Sequence, residues 1–325
     1  MDLKIISDHN EVIQYADKIP PQIFPLFIEG SEKVYADGDF GSMLFQQITG
    51  NDCAIWYSSY NMVRPVSFQS EAEMPVLELH FTFKNDFHCT LGGIGAIVME
   101  ERQFNLTYTP YIESKTVFHA GNYETFDVHV SSAFLNKAAI YYPAINDLIN
   151  NIDKHKAAML SKINHYASGS MLFIIQQILS CQYQGMLKQL YVETKVMELF
   201  LLAMDKVTSN PLWKQIVLKP YDIEKIREAK DILLAQMDTP VTVIALAHQV
   251  GINDFKLKKG FKQIFGTTIF DYLLQARMEK AVELLTSTTI PVTEIAFIVG
   301  YQTIGAFTNT FKKHFGYPPT SLRKH

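Results

Sequence analysis

Three groups of side chains in the 325-residue sequence have the types and spacing to do chemistry. The first is a cationic stretch, Lys256, Lys258, Lys259 and Lys262 with Gln263, next to Phe255. On a helix with Leu257 at the centre of its buried face, Phe261, Ile264 and Phe265 fall beside it, while Phe255, Lys259 and Lys262 point away. Outward lysines attract phosphates irrespective of base sequence, and an outward Phe can touch a thymine methyl group. A second stretch repeats the pattern: Phe307, Phe311 and Phe315 form a buried stripe, Gly305, Asn309, Lys312 and Lys313 lie opposite, and Thr308 is at the flank.

The second group is His80, His88, His119 and His129, with Glu78 and Glu124 nearby. Metal-binding barrels of the cupin type present a His-x-His pair with a following Glu, and that pattern is absent. Hydrogen-bonded histidines without a metal are therefore expected, and no cofactor. The third group, Cys53, Cys89 and Cys181, is odd in number and widely spaced, as reduced core thiols are. A phosphate-cradling glycine loop, a Gly-x-Ser-x-Gly elbow and a metalloprotease His-Glu pair are all missing, so the chain does not read as an enzyme. Two other readings stay open: a β-barrel enzyme tethered to DNA, and a scaffold whose lysines are a solvated face.

Both lysine-bearing stretches belong to one duplicated unit. Leu246-Ala247-xx-Val250-Gly251-Ile252 is echoed 49 residues on by Ile295-Ala296-xx-Val299-Gly300-Tyr301. Beyond the glycines, Leu257, Phe261-Lys262, Phe265 and Gly266 match Phe307, Phe311-Lys312, Phe315 and Gly316. Each copy has a small residue where two helices cross, Ala247 or Ala296. A glycine four residues later, Gly251 or Gly300, ends the first helix, and Asn253 or Thr303 caps the second. These are the parts of a helix-turn-helix. A helix over about 269–286, capped by Thr268, joins module 1 (about 241–266) to module 2 (about 290–316).

Charge supports this division. The net charge of −4 hides a C-terminal third, residues 219–325, with 14 Lys and Arg against 10 Asp and Glu, and a front part that is net −8.

Before Val130, short alternating stretches at Cys53–Tyr57, Leu77–Phe83, Ala96–Glu100, Gln103–Tyr108 and Phe126–Val130 predict strands. The aromatics Trp56, Tyr57, Phe81, Phe83, Tyr108, Phe118 and Phe126 read as core rather than as a ligand pocket. Apolar residues then recur at helical spacing, including Leu172, Ile175 and Ile178, then Leu190, Val196, Leu199 and Leu202. Breaks at Ser209-Asn210-Pro211 and Lys219-Pro220 mark a boundary.

The expected fold is α+β. A small β-barrel of cupin or jelly-roll kind spans 1–140, a helical linker or dimerisation segment 141–212, and an all-α domain with two helix-turn-helix modules 219–325. No apolar window approaches the ~20 residues of a membrane span, and the first residues are not a signal peptide, so a cytoplasmic protein is expected.

From Ile295-Ala296 through Gly300-Tyr301 and Phe307 to Phe315-Gly316-Tyr317-Pro318-Pro319, closing at Arg323, the C-terminal third resembles the AraC/XylS family. Its first module, Lys256 to Phe261-Lys262 with Phe265-Gly266-Thr267-Thr268, is similar to a siderophore-responsive subgroup. The resemblance implies a dimeric, double-stranded-DNA-binding regulator, mostly an activator contacting RNA polymerase, with a front domain that senses a small-molecule effector. Base contacts carried over by motif position are Phe255, Lys258 and Lys259, and Ile304, Gly305, Thr308 and Asn309. Family members frequently have Arg where Asn309 stands.

Overall fold

A computed structural model describes residues 4–9, 12–16, 19, 28–140, 142, 145–208, 216, 218–239, 242–315 and 317–323. Two compact units emerge: residues 1–167 with 178–209, and residues 168–177 with 210–325. No described helix is long and apolar enough to cross a membrane.

In the first unit the strands are β1 (Lys4–Ile6), β2 (Glu32–Gly38), β3 (Gly41–Thr49), β4 (Cys53–Met62), β5 (Val66–Ala72), β6 (Val76–Lys84), β7 (Phe87–Leu91), β8 (Gly95–Met99), β9 (Gln103–Thr109), β10 (Ile112–Phe118) and β11 (Gly121–Val130), with two-residue β12 (Ala158–Met159) and β13 (His165–Tyr166). The barrel does not close. Five strands pair in the order β1-β5-β10-β7-β8, and the rest form a separate sheet ordered β12-β9-β6-β11-β4-β3-β2, with β13 also on β9. Every pairing is antiparallel. One cluster of buried residues draws on both sheets, including Ile5, Phe68 and Phe118 from the smaller and Met43, Met62 and Tyr123 from the larger.

The larger sheet is covered on both faces, and alternation sorts its side chains. Leu79, Phe81, Leu106, Phe126 and Val128 make one face apolar and buried. The other face carries Ser58, Glu78, His80, Thr107, Thr125, Asp127 and His129. The helices α1 (Ser132–Ala139) and α4 (Gly185–Thr208) pack ring to ring through Phe134 and Phe200, 5.0 Å apart. In sequence α2 (Ile145–Asp153) and α3 (Gly169–Leu179) come between these two, and residues 169–177 of α3 belong to the second unit.

The apolar repeat expected along the long helix splits in two. Val196 and Leu199 are buried, whereas Leu190 is 62% exposed. Of the expected aromatic core, Tyr57, Phe81, Tyr108 and Phe126 are buried on the apolar face and Phe118 in the cluster between the sheets, but Trp56 is only half-buried and lines the space there. Cys53 and Cys181 are buried, while Cys89 is half-buried and faces that same space, a departure from its expected place in the core.

The second unit contains α5 (Pro220–Ala235), α6 (Val243–Val250), α7 (Asp254–Phe265), α8 (Ile269–Ser287), α9 (Val292–Ile298), α10 (Ile304–Phe315) and a short 3-10 turn at Pro319–Leu322. The local signals act as the sequence indicates. Asn253 accepts the Lys256 amide at 2.7 Å, Thr268 the Asp271 amide at 3.2 Å, and Thr303 the Ala306 amide at 3.2 Å. Gly251 and Gly300 leave the first helix of each module at φ 76° and 82°. Ala247 and Ala296 are buried at the helix crossings. Gly316 and the break at 209–211 lie outside the described residues.

Module 2 closes around Met278, Ala281 and Leu285 of α8 with Ile295, Phe307, Phe311 and Phe315. Arg323 bonds the Thr288 and Ile290 carbonyls and so ties the chain end back to the end of α8. Arg277 of α8 donates to the Met237 carbonyl at 2.7 Å and lies over the Tyr301 ring, fixing the turn of module 2 to the end of α5.

The two turn glycines differ in what surrounds them. A Cβ on Gly300 would stand 2.6 Å from the Met237 carbonyl oxygen and from Arg277, whereas on Gly251 it would meet only the Tyr221 hydroxyl at 3.8 Å. Left-handed strain costs about 1–2 kcal/mol at either position. Gly300→Ala is therefore expected to lower the thermal midpoint clearly more than Gly251→Ala. Equal losses in parallel melts would show that the Met237–Arg277 contact does not constrain the turn.

Candidate nucleic-acid interface and interior cavity

The recognition helices are α7 and α10, second in each module. On α7, Leu257 and Phe261 are fully buried, Phe265 nearly so, and Ile264 half-buried, with the Phe261 ring tilted against Phe265 and edge-on to Tyr272. Phe255 is 60% exposed, and Lys258, Lys259 and Lys262 are exposed. On α10, Phe307 and Phe311 are fully buried. Ile304, Gly305, Asn309, Lys312 and Lys313 are exposed, and Thr308 is half-buried. A Cβ on Gly305 would meet nothing within 4 Å, so packing does not require glycine there.

Two of the sequence-selected polar residues are engaged inside the unit. The Lys256 ammonium lies 2.9 Å from Asp222, a buried carboxylate at the start of α5. The Lys219 amide, then Lys256, holds that carboxyl below the usual range. Gln263 accepts the Ile216 amide at 3.1 Å. Lys258 pairs with Asp254 one turn away at 3.0 Å, a surface contact of small energetic weight. On the inner side of α10, His314 stands against Phe173 at 5.3 Å, and burial pushes its imidazole down to about 4, so it is neutral near pH 7.

The first unit holds a cavity of about 540 Å³ between its sheets. Its floor is a two-by-two patch set by strand register: Glu78 pairs across with His129, and His80 with Asp127. The His80 Nδ1 lies 2.5 Å from Asp127 and its Nε2 3.3 Å from the Thr82 hydroxyl, while the His129 Nε2 lies 3.4 Å from Glu78. Thr107 donates to Glu78 at 3.5 Å, and Thr125 to Asp127 at 3.2 Å. His88, His119 and Glu124, also noted in the sequence, are absent from the lining. Glu124 instead accepts from the Tyr57 hydroxyl at 2.7 Å. Among the described residues no three His, Cys, Asp or Glu side chains form a metal-binding group. Burial and the nearby Glu78 push the Cys89 thiol up to about 12, which keeps it protonated.

Opposing influences set the charge of the floor. Burial pulls His80 down, but the charge and hydrogen bond of Asp127, with Glu78, raise it above its ordinary 6.5 overall. His129 is likewise raised, burial being outweighed by Glu78. For Glu78 burial acts upward, and His129 and His80 bring it below 4.5. A raised imidazole contributes stability that is complete below 6.5 and is lost as pH rises through the folded-state value. The stability advantage of the wild type over Asp127→Asn should therefore be largest below pH 6.5 and shrink on the alkaline side. A denaturant-titrated difference that is flat with pH, or grows above that point, would show that Asp127 does not hold the His80 proton.

Comparison with known proteins agrees with both halves of this picture. A helix-turn-helix domain family matches residues 246–325, and the family described as the regulatory protein PchR N-terminal domain matches residues 53–214. The regulatory protein PchR of Pseudomonas aeruginosa is 31% identical over 121 residues, 37% of this chain and 40% of that protein. The xylose operon regulatory protein of Escherichia coli is 38% identical over 74 residues, 23% of this chain and 19% of that protein. The matched stretch thus spans less than half the length of either relative. Among solved structures, the C-terminal domain of AraT, a response regulator from Geobacillus stearothermophilus, is 33% identical, covering 33% of this chain and 87% of that one at a TM-score of 0.30. These families and relatives are regulators rather than enzymes, and the chain carries an AraC-type helix-turn-helix domain at residues 246–325 behind a domain of the PchR N-terminal family at residues 53–214.

Proposed function

We propose that the protein is a sequence-specific DNA-binding transcription regulator that sets α7 and α10 into successive major-groove segments on one face of a duplex. The carrying observation is the duplication: two capped recognition helices, each with an exposed polar face, are joined by the single 19-residue helix α8. At 1.5 Å per residue α8 is ~28 Å long, close to the ~34 Å turn of B-DNA. Lys262, Lys312 and Lys313 are the phosphate ligands in this reading, and Phe255, Lys258, Lys259, Ile304, Gly305, Thr308 and Asn309 face the bases. Lys256 and Gln263 serve by holding α7 to α5 and the segment before it. The open space over Gly305 suits close approach of a base edge or sugar.

The cavity between the sheets is the site at which a small-molecule effector is sensed. A link to iron or siderophores rests on the resemblance of module 1 and is supported by the match to the PchR N-terminal domain. Activation through RNA polymerase rests on the resemblance alone. A cytoplasmic place of action follows from DNA as partner. A second copy of the chain is the natural cover for α4, where Leu187, Leu190, Thr194, Met197 and Leu201 recur at alternating steps of three and four and all are exposed.

Lys262→Ala should weaken DNA binding uniformly across sequences and reduce the salt slope by about one, and Lys259→Ala should weaken binding as well, most at the sequences it reads. Affinity and slope unchanged in both variants would return the helical unit to the scaffold reading. Asn309→Arg should move preference at one base pair from adenine to guanine, as read by selection from a random duplex pool. For the dimer, Leu190→Glu should halve the mass seen by sedimentation equilibrium. A wild-type chain that sediments as a monomer would remove α4 from the proposal.

A further inference from the structure

The charge balance of the cavity restricts what it can hold. Its described lining includes four carboxylates, Glu32, Glu78, Glu113 and Asp127, and two histidines, with no Lys or Arg. With both imidazoles protonated, each facing the carboxylate across from it, the lining is still negative by two charges. Glu32 and Glu113 are exposed and come from opposite sheets, whereas Asp127 is buried on the floor. The remaining walls are largely aromatic and aliphatic: Trp56 and Tyr60 on one side, Phe87, Ile97 and Phe118 on the other.

We propose that this cavity selects an organic cation, an amine or quaternary ammonium carried on an aromatic or branched aliphatic body, and rejects anions of the same shape. The inference rests on reading the cavity as the sensing site and adds the chemical class of the effector. Carboxylates removed from water keep their charge only beside a counter-charge, and the two on the floor, Glu78 and Asp127, have histidine protons as their only counter-charge, with one threonine hydroxyl donating to each. An ammonium beside Glu78 or Asp127 supplies that counter-charge directly, and the faces of Trp56 and Tyr60 attract it as well. A carboxylate or phosphate would lose its hydration and gain only imidazoles already engaged by carboxylates. The volume of about 540 Å³ suits a body of one or two fused rings with room for its substituents.

Three probes of one shape test this on the full chain by isothermal titration calorimetry: 2-naphthylmethylammonium, 2-naphthylmethanol and 2-naphthoate. The ammonium should bind at least about tenfold more tightly than either of the others. Glu78→Gln and Asp127→Asn should each weaken the ammonium by a similar factor while leaving the alcohol within about twofold. If a variant fails to fold, the order of the three probes on the wild type decides alone. Naphthoate binding as well as the ammonium, the alcohol matching the ammonium, or an ammonium affinity indifferent to a folded Glu78→Gln protein would each overturn the cation assignment and leave the cavity standing as a sensing site. Failure of all three to bind at millimolar concentration would remove the sensing reading as well.

Discussion

The reading surface depends on one backbone constraint, a left-handed glycine between two helices that cross at a buried alanine. Ala247 and Ala296 allow the crossing, and Gly251 and Gly300 reverse the chain over three and four residues respectively into the cap of the second helix. A larger residue at the crossing would part the helices, and one at the turn would strain it. With the turn fixed, the phenylalanine stripe of α10 and the Leu257–Phe261–Phe265 stripe of α7 have one direction in which to bury. The opposite faces then point outward as a consequence. Arg277 adds a second hold on module 2, bridging the end of α5 and Tyr301 from α8.

In the front unit the corresponding constraint is electrostatic. A sheet covered on both faces ordinarily presents apolar residues on both, because desolvating a carboxylate or imidazole is costly. Here one face follows the rule through Leu79, Phe81, Phe126 and Val128, while the other places two carboxylates and two histidines among aromatics. The register of β6 against β11 makes this tolerable by setting each negative group across from an imidazole. A one-residue slip of β6 would carry Glu78 and His80 to the apolar side and leave Asp127 and His129 without partners, so the pairing that neutralises the floor also opposes slippage.

Much of the helical unit was legible because its signals are local. Caps, turn glycines and a 3.6-residue stripe lie within a dozen residues of one another, and the structure places Asn253, Thr268, Thr303, Gly251 and Gly300 where those signals require. The sandwich was less legible. The hairpin of β2 and β3 precedes the stretch read as strands, although Asp37-Gly38 and Gly41 mark its turn. Barrel closure depends on which distant strands pair, and strand patterning does not encode that. The charged floor was hidden for the same reason. Glu78 and His80 were visible as alternate residues of one strand, but their partners lie some 50 positions away, and only the register joins them. Exposure along α4 was likewise undecided, since one apolar repeat contains both Val196, which is buried, and Leu190, which is not.

The two modules are unequal, but in a different way from what lysine content suggests. Four lysines on α7 against two on α10 would make module 1 the chief source of phosphate attraction. Lys256 is committed to the buried Asp222, however, and Lys258 shares its charge with Asp254, so the net excess on α7 is smaller than the count implies. The larger contrast is in shape. Phe255 and Gly305 occupy equivalent places in the repeat, as do Lys259 and Asn309. At the first pair, one helix projects a ring that is 60% exposed and the other leaves open space. At the second pair, a point charge faces an amide that can both donate and accept. Two copies of one scaffold, aimed by the same turn, thus present a bulky cationic surface and a shallow hydrogen-bonding one. In the proposed reading, two such faces would favour different bases at the two half-sites while each helix is held in a single way.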